Sequence, residues 1–238
     1  MAIRVTRRRV LALLLLLLTR DGVVHRLQDG REQSTQAAPQ ASAVAALADG
    51  RVALLAGDRL TLTTHGRNRA LPGHFAALEA LAAGGDALWG LVADGAVRVD
   101  LASGQLTRVV TLPRAHRLTA DGSALFVEAD GVVIEVGEAG TTRSWRVPGR
   151  PIALAAAAGK LWIATKDGPL YEVDRASGSR RDLGLGDWWG TLGLAAADGQ
   201  LWAVTVAGKL WRIDPQRREK TIVAMDGWQG AVDISVLR

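Results

Sequence analysis

Residues 160–178 read Lys-Leu-Trp-Ile-Ala-Thr-Lys-Asp-Gly-Pro-Leu-Tyr-Glu-Val-Asp-Arg-Ala-Ser-Gly. The apolar run 161–165 predicts a short strand, Asp167-Gly168 a tight hairpin turn, residues 170–174 a second strand, and Ser177-Gly178 another turn. Two such strands are half of a four-stranded meander. Weaker copies recur along the chain, so the stretch serves as a ruler for all of it.

The glycine of the central hairpin falls at Gly22, Gly57, Gly95, Gly131, Gly168 and Gly208, with gaps of 35, 38, 36, 37 and 40 residues. A second set, just before each Leu-Trp-like strand, falls at Gly50, Gly85, Gly122, Gly159 and Gly199, with gaps of 35, 37, 37 and 40. Each of the second set follows an Ala-rich run, at 43–48, 76–83, 118–120, 152–158 and 192–197. Ala and Leu favour helix, but runs this short, punctuated by Gly at strand spacing, read as strands. Small side chains suit the place where strands converge on the axis of a radial repeat.

Each repeat is therefore expected to hold four strands: an Ala-rich A, a Leu-Trp-type B, a Val-Asp-type C and a polar D. Arg67, Arg108, Arg143, Arg146, Arg180, Arg181, Arg217 and Arg218 fall on or beside D. There they are expected as solvated charges that keep an outer edge from pairing. Asp100, Asp174 and Asp214 recur once per repeat and are expected to cap turns. Residues 230–238 read as one more A strand with nothing after it, while the N-terminal segment supplies B, C and D with no A before them. A blade built from both termini would close the ring. The fold expected is all-β: a β-propeller of six four-stranded blades of about 37 residues, the C-terminal strand completing the N-terminal blade. A basic tail at 1–10 would precede a single propeller domain at 11–238.

Residues 161–178 and 201–215, with Leu-Trp, Gly and Asp at matching places, resemble the repeats of two-component-regulator propellers, virginiamycin-B-lyase-like proteins and PQQ-type propellers. The resemblance spans about residues 11–238 and is strongest at 86–105 and 160–215; the copies at 52–66 and 124–140 lack the Trp. It implies the fold. For function it implies only a range, from ligand sensing and scaffolding to lyase and dehydrogenase activity, and no catalytic motif of these families is present to carry over.

The start of the chain has a competing reading. Arg4, Arg7, Arg8 and Arg9 precede nine apolar residues, 10–18, which resembles a secretory or twin-arginine signal. No small-x-small cleavage pattern follows, and nine residues fall short of the roughly 20 needed to cross a bilayer. If this run is a signal or anchor, five blades remain and the protein belongs to the cell envelope; if it is a strand, the ring has six blades and a cytoplasmic location is open. Association with a membrane is expected only on the anchor reading.

Composition narrows the chemistry. With no Cys, disulfides, Cys-ligated zinc, iron–sulfur clusters and thiol catalysis are excluded. The net charge of +5 comes from the first 20 residues, because residues 21–238 carry 24 basic and 24 acidic groups. No basic footprint for nucleic acid covers the domain. His25, His65, His74 and His116 include no zinc-binding pair at helical spacing, and no nucleotide or hydrolase motif occurs. No cofactor, metal or catalytic set is expected.

What remains are the connectors from D of one blade to A of the next, which differ from copy to copy. They carry Gln40, then His74 and Phe75, Arg114 and His116, Arg150, Trp188 and Trp189, and finally Trp228 and Gln229. If they converge on one mouth, His74, Arg114, His116, Arg150, Trp188, Trp189 and Trp228 form a candidate ligand-binding surface for a protein partner, a small polar or anionic ligand, or a sugar. The alternative for Trp188, Trp189 and Trp228 is packing between blades. Trp89, Trp162 and Trp202, on strand B, are expected in the core. The function expected is a non-enzymatic binding or scaffold module. The alternative is a small lyase- or hydrolase-type enzyme at the same mouth, with His74 or His116 as acid–base and Arg114 or Arg150 holding an anion.

Overall fold

The computed structural model describes residues 14–28, 31–36, 39–64, 66–137, 140–224, 228 and 230–237. The basic tail and Arg7–Arg9 of the signal reading, His65 and Gln229 lie outside the described residues. Among the described residues no helix is long and apolar enough to cross a membrane.

The described chain forms 24 strands in six four-stranded antiparallel sheets. Blade 1 joins the two ends of the chain: β24 (Ala231–Leu237) pairs with β1 (Leu14–Thr19), followed by β2 (Val23–Gln28) and β3 (Arg31–Gln36). Blade 2 holds β4 (Ala41–Ala46), β5 (Val52–Ala56), β6 (Arg59–Thr64) and β7 (Arg67–Ala70). Blade 3 holds β8 (Ala80–Gly84), β9 (Ala87–Val92), β10 (Gly95–Val99) and β11 (Leu106–Thr111). Blade 4 runs through β12 (Ala115–Asp121), β13 (Ala124–Ala129), β14 (Val132–Gly137) and β15 (Gly140–Arg146). Blade 5 contains β16 (Pro151–Ala157), β17 (Lys160–Thr165), β18 (Leu170–Asp174) and β19 (Arg180–Asp182), and blade 6 contains β20 (Thr191–Ala197), β21 (Gln200–Thr205), β22 (Leu210–Asp214) and β23 (Glu219–Ala224). The inner strands β24, β4, β8, β12, β16 and β20 pack each against the next and the last against the first. The ring is thus a six-bladed propeller closed by β24.

The seams between blades explain the sequence pattern. Leu15 and Leu17 of β1 enter a core shared with Val204 and Leu210 of blade 6, while Leu16 and Leu18 enter one shared with Val44 and Leu54 of blade 2. A B strand is covered on both faces, so its sequence loses polar alternation and reads as a continuous apolar run. That is why a strand of the ring resembles a signal core. Burial of each of these leucines stabilises the fold by roughly 1.5–3 kcal/mol. The other four seams have equivalent cores, as at Trp89 with Leu125 and Val127, or Trp162 with Leu194 and Leu201.

The glycines of both rulers adopt positive φ, as their turns require. The recurring aspartates cap turns as expected: Asp100 Oδ1 accepts from the Ala102 and Ser103 amides at 3.0 and 2.6 Å, Asp174 Oδ1 from Ser177 at 2.8 Å, and Asp214 Oδ1 from Gln216 and Arg217 at 3.0 Å. These bonds favour the ionised carboxyl. The Ser103 amide first for Asp100, the Lys160 ammonium first for Asp174 and the Arg217 amide first for Asp214 hold each below the ordinary aspartate value.

The arginines of the outer strands differ from expectation. Several tie blades together instead of standing free: Arg143 donates to the Arg175 and Ala176 carbonyls, and Arg181 to the Pro215 carbonyl at 3.0 Å, each in the C–D turn of the next blade. Arg69, not singled out from the sequence, does the same to Leu101. Arg180 and Arg218 reach back to Arg146 and Leu183 of the preceding blades. Backbone carbonyls at the seams supply acceptors that a single-repeat reading does not reveal.

Candidate functional site

The connectors are sewn to the B–C hairpins on one face of the ring. Arg20, Lys166 and Val206 donate backbone N–H groups to the Gly230, Arg150 and Gly190 carbonyls at 2.7–2.8 Å. The axial channel opens on this face. It encloses about 740 Å³ and is lined by the six inner strands, with Arg20, Glu79, His116 and Arg117 at its connector end and Gly85 and Gly122 at the other.

Strand register places the mouth. In β4, β12, β16, β20 and β24 the pairing to strand B skips one residue, a β-bulge, and the skipped residues are Ser42, His116, Ile152, Leu192 and Val232. In β8 the corresponding residue is Glu79, immediately before the first paired residue, Ala80. A bulge re-aims a side chain where pairing ends. Around the ring this collar is polar over blades 2, 3 and 4 (Ser42, Glu79, His116, all exposed) and aliphatic over blades 5, 6 and 1 (Ile152, Leu192, Val232, all half-buried).

The next level down is a column of small residues, Ala43, Ala80, Ala153 and Gly193, broken twice, by Arg117 of β12 and Asp233 of β24. These two strands stand opposite each other in the ring. Arg117 Nε donates to the Ile152 carbonyl at 2.8 Å and Nη1 to its neighbour His116 at 2.7 Å. Asp233 Oδ2 accepts from the Val44 amide and Oδ1 from the Ile234 amide, both at 2.8 Å; two residues on, Ser235 Oγ accepts from Ala46 at 3.0 Å. Asp233 and Ser235 thus hook the closing strand to blade 2. Burial among the inner strands pushes the Asp233 carboxyl up to about 7, against the opposing pull of the Val44 and Ile234 amides and of the Arg117 charge.

Of the seven residues expected to converge, His116 alone lines the channel. His74 is 93% exposed on its connector, with Nδ1 3.8 Å from Asp58. Arg114 is exposed and lies 3.4 Å from Asp130, and Arg150 is exposed. Trp188 and Trp228 are 2% and 4% exposed and fill seams. Trp188 meets Trp211 edge-on at 6.0 Å with Lys220 Nζ 5.2 Å above its ring, and Trp228 meets His25 at 4.8 Å. Neither indole reaches the mouth, because each fills the space between two blades. Trp189, the next residue after Trp188, points outward and is 64% exposed. Sequence reasoning passed over Arg20, Ser42, Glu79, Arg117 and Asp233. The signal for the last two is the break they make in the Ala/Gly column, visible once the copies are aligned by strand register. Among the described residues no cluster of three or more potential metal ligands occurs.

No family model and no curated protein matches the chain. Solved structures do. A chain from a nidogen/laminin complex matches with a TM-score of 0.78 at 13% identity, over 95% of this chain and 98% of that one. Apo AztD from Citrobacter koseri matches with 0.61 at 12% identity, over 95% and 98%. PorZ, described as a surface component of the type-IX secretion system of Porphyromonas gingivalis, matches with 0.58 at 14% identity, over 80% of this chain and 29% of that one. At these identities the likeness is one of fold. The specific resemblance to regulator, lyase-like and PQQ-type repeats rests on the blade pattern alone.

Proposed function

We propose that the chain is a non-enzymatic binding module that presents the connector face of a closed ring to a protein partner. The observation that carries this reading is the exposed Trp189 on that face. Val206, 50% exposed, stands beside it, its amide bonded to Gly190 at 2.8 Å. A rigid aromatic next to an aliphatic, held on a scaffold, has the composition of an interface anchor. Exposed Arg114 and Arg150 supply a polar rim on the same face.

The matched chain from the nidogen/laminin complex belongs to an assembly of two proteins. That supports the reading by analogy of fold, not of site. A sugar platform is less well supported, since Trp188 and Trp228 turn into the seams and leave Trp189 without a neighbouring indole. The test compares immobilised wild-type chain with Trp189→Ala and with Val223→Ala, which alters an exposed apolar residue on the outer strand β23. The proposal expects a protein from the native cell extract to be retained by wild type and Val223→Ala and lost on Trp189→Ala. Equal retention on all three would overturn it.

A further inference from the structure

We propose that the mouth of the axial channel is a separate site for a small zwitterion, a free amino acid with an aliphatic side chain, held between Arg117 and Asp233 with its side chain on the aliphatic half of the collar. Four observations converge. First, Ala80, Ala153 and Gly193 leave the lumen open at the level where Arg117 and Asp233 stand, on opposite walls. Second, Arg117 and Asp233 are each fixed by backbone bonds to the wall, and among the described residues no ion pair joins them. Their orientation is set before any ligand arrives, which lowers the ordering cost of binding. Third, the collar places His116 beside Arg117, a second group suited to a carboxylate. Fourth, Leu192 and Val232 line the channel on the side away from Arg117, apolar and half-buried, so a ligand bearing only charge would leave them idle.

The enclosed volume suits a small molecule and not a folded chain. The lining residues belong to the inner strands and are not those of the Trp189 corner, so this site and the proposed protein interface can stand or fall separately.

The probe is L-leucine, titrated calorimetrically into the full chain alongside N-acetyl-leucine, which lacks the ammonium, and leucinamide, which lacks the carboxylate. The expected result is saturable one-to-one binding of leucine, weakened at least about tenfold in each blocked analogue, since each leaves either Arg117 or the Asp233 carboxyl facing an unmatched group. Arg117→Gln should weaken leucine by at least about tenfold and Trp189→Ala should leave it unchanged. No saturable binding of leucine by the folded wild-type chain up to about 10 mM would overturn the proposal, and so would analogues that bind as well as leucine. Should Arg117→Gln fail to fold, the analogue series on the unaltered chain decides the matter.

Discussion

Replacing Asp233 by Asn should make the chain more stable at pH 8 and slightly less stable at pH 4. The carboxyl's affinity for protons rises on folding, from the ordinary 3.8 to about 7, because it lies half-buried among the inner strands and loses part of its hydration. A group raised in this way favours the folded state fully below its unfolded value, and that contribution is lost as pH climbs through 7. The difference corresponds to about 4 kcal/mol at about 1.4 kcal/mol per tenfold change in proton affinity. Asn cannot titrate. It keeps a carbonyl oxygen for the Val44 amide but gives up the acceptor for Ile234, a pH-independent loss of about 1 kcal/mol. The two unfolding free energies should therefore cross: the variant below wild type by about 1 kcal/mol at pH 4, and above it by roughly 3 kcal/mol at pH 8. For a chain of this size the relative melting temperatures should move by on the order of 10 °C across that range. Scanning calorimetry of both proteins at half-unit pH steps reads this directly, other titrating groups cancelling in the difference. Melting curves that stay parallel from pH 4 to 8 would refute the assignment of Asp233 as a desolvated hook on the closing strand.

Trp188→Ala should cost about 3–5 kcal/mol, because it empties a seam between blades 5 and 6, whereas Trp189→Ala should stay within about 0.5 kcal/mol; chemical denaturation of the two variants checks both. Gly104→Ala should be strongly destabilising, because Gly104 sits at φ +73° and an added Cβ would meet the Pro72 carbonyl oxygen at 1.8 Å. A Gly104→Ala chain with an unchanged urea midpoint would contradict the close packing of the blade 3 turn on the connector at 71–79.

Much of the ring can be read from one strand-turn-strand unit, since each hairpin glycine carries its own conformational demand. The harder parts depend on partners that lie far away in sequence. Leu15 to Leu18 resemble a signal core because both faces of β1 are covered by other blades, and only the pairing with β24 distinguishes the cases. Trp188 and Trp189 are adjacent and look equivalent, yet one turns in and the other out. The channel collar is set by β-bulges, which belong to the register between two strands and leave no mark on either strand alone. Attention to the connectors, where the copies diverge, therefore singled out Trp189, which is exposed, and His116, which lines the channel, and passed over Arg117 and Asp233, which line it from within the copies.

Closure of the ring by β24 is tested most directly by amide hydrogen exchange of residues 14–19, in the full chain and in one ending at Gly230. Closure predicts that in the full chain these amides exchange as slowly as those of the equivalent strand β17, and that removing residues 231–238 exposes them to rapid exchange. Equal exchange of residues 14–19 in the two chains would contradict it.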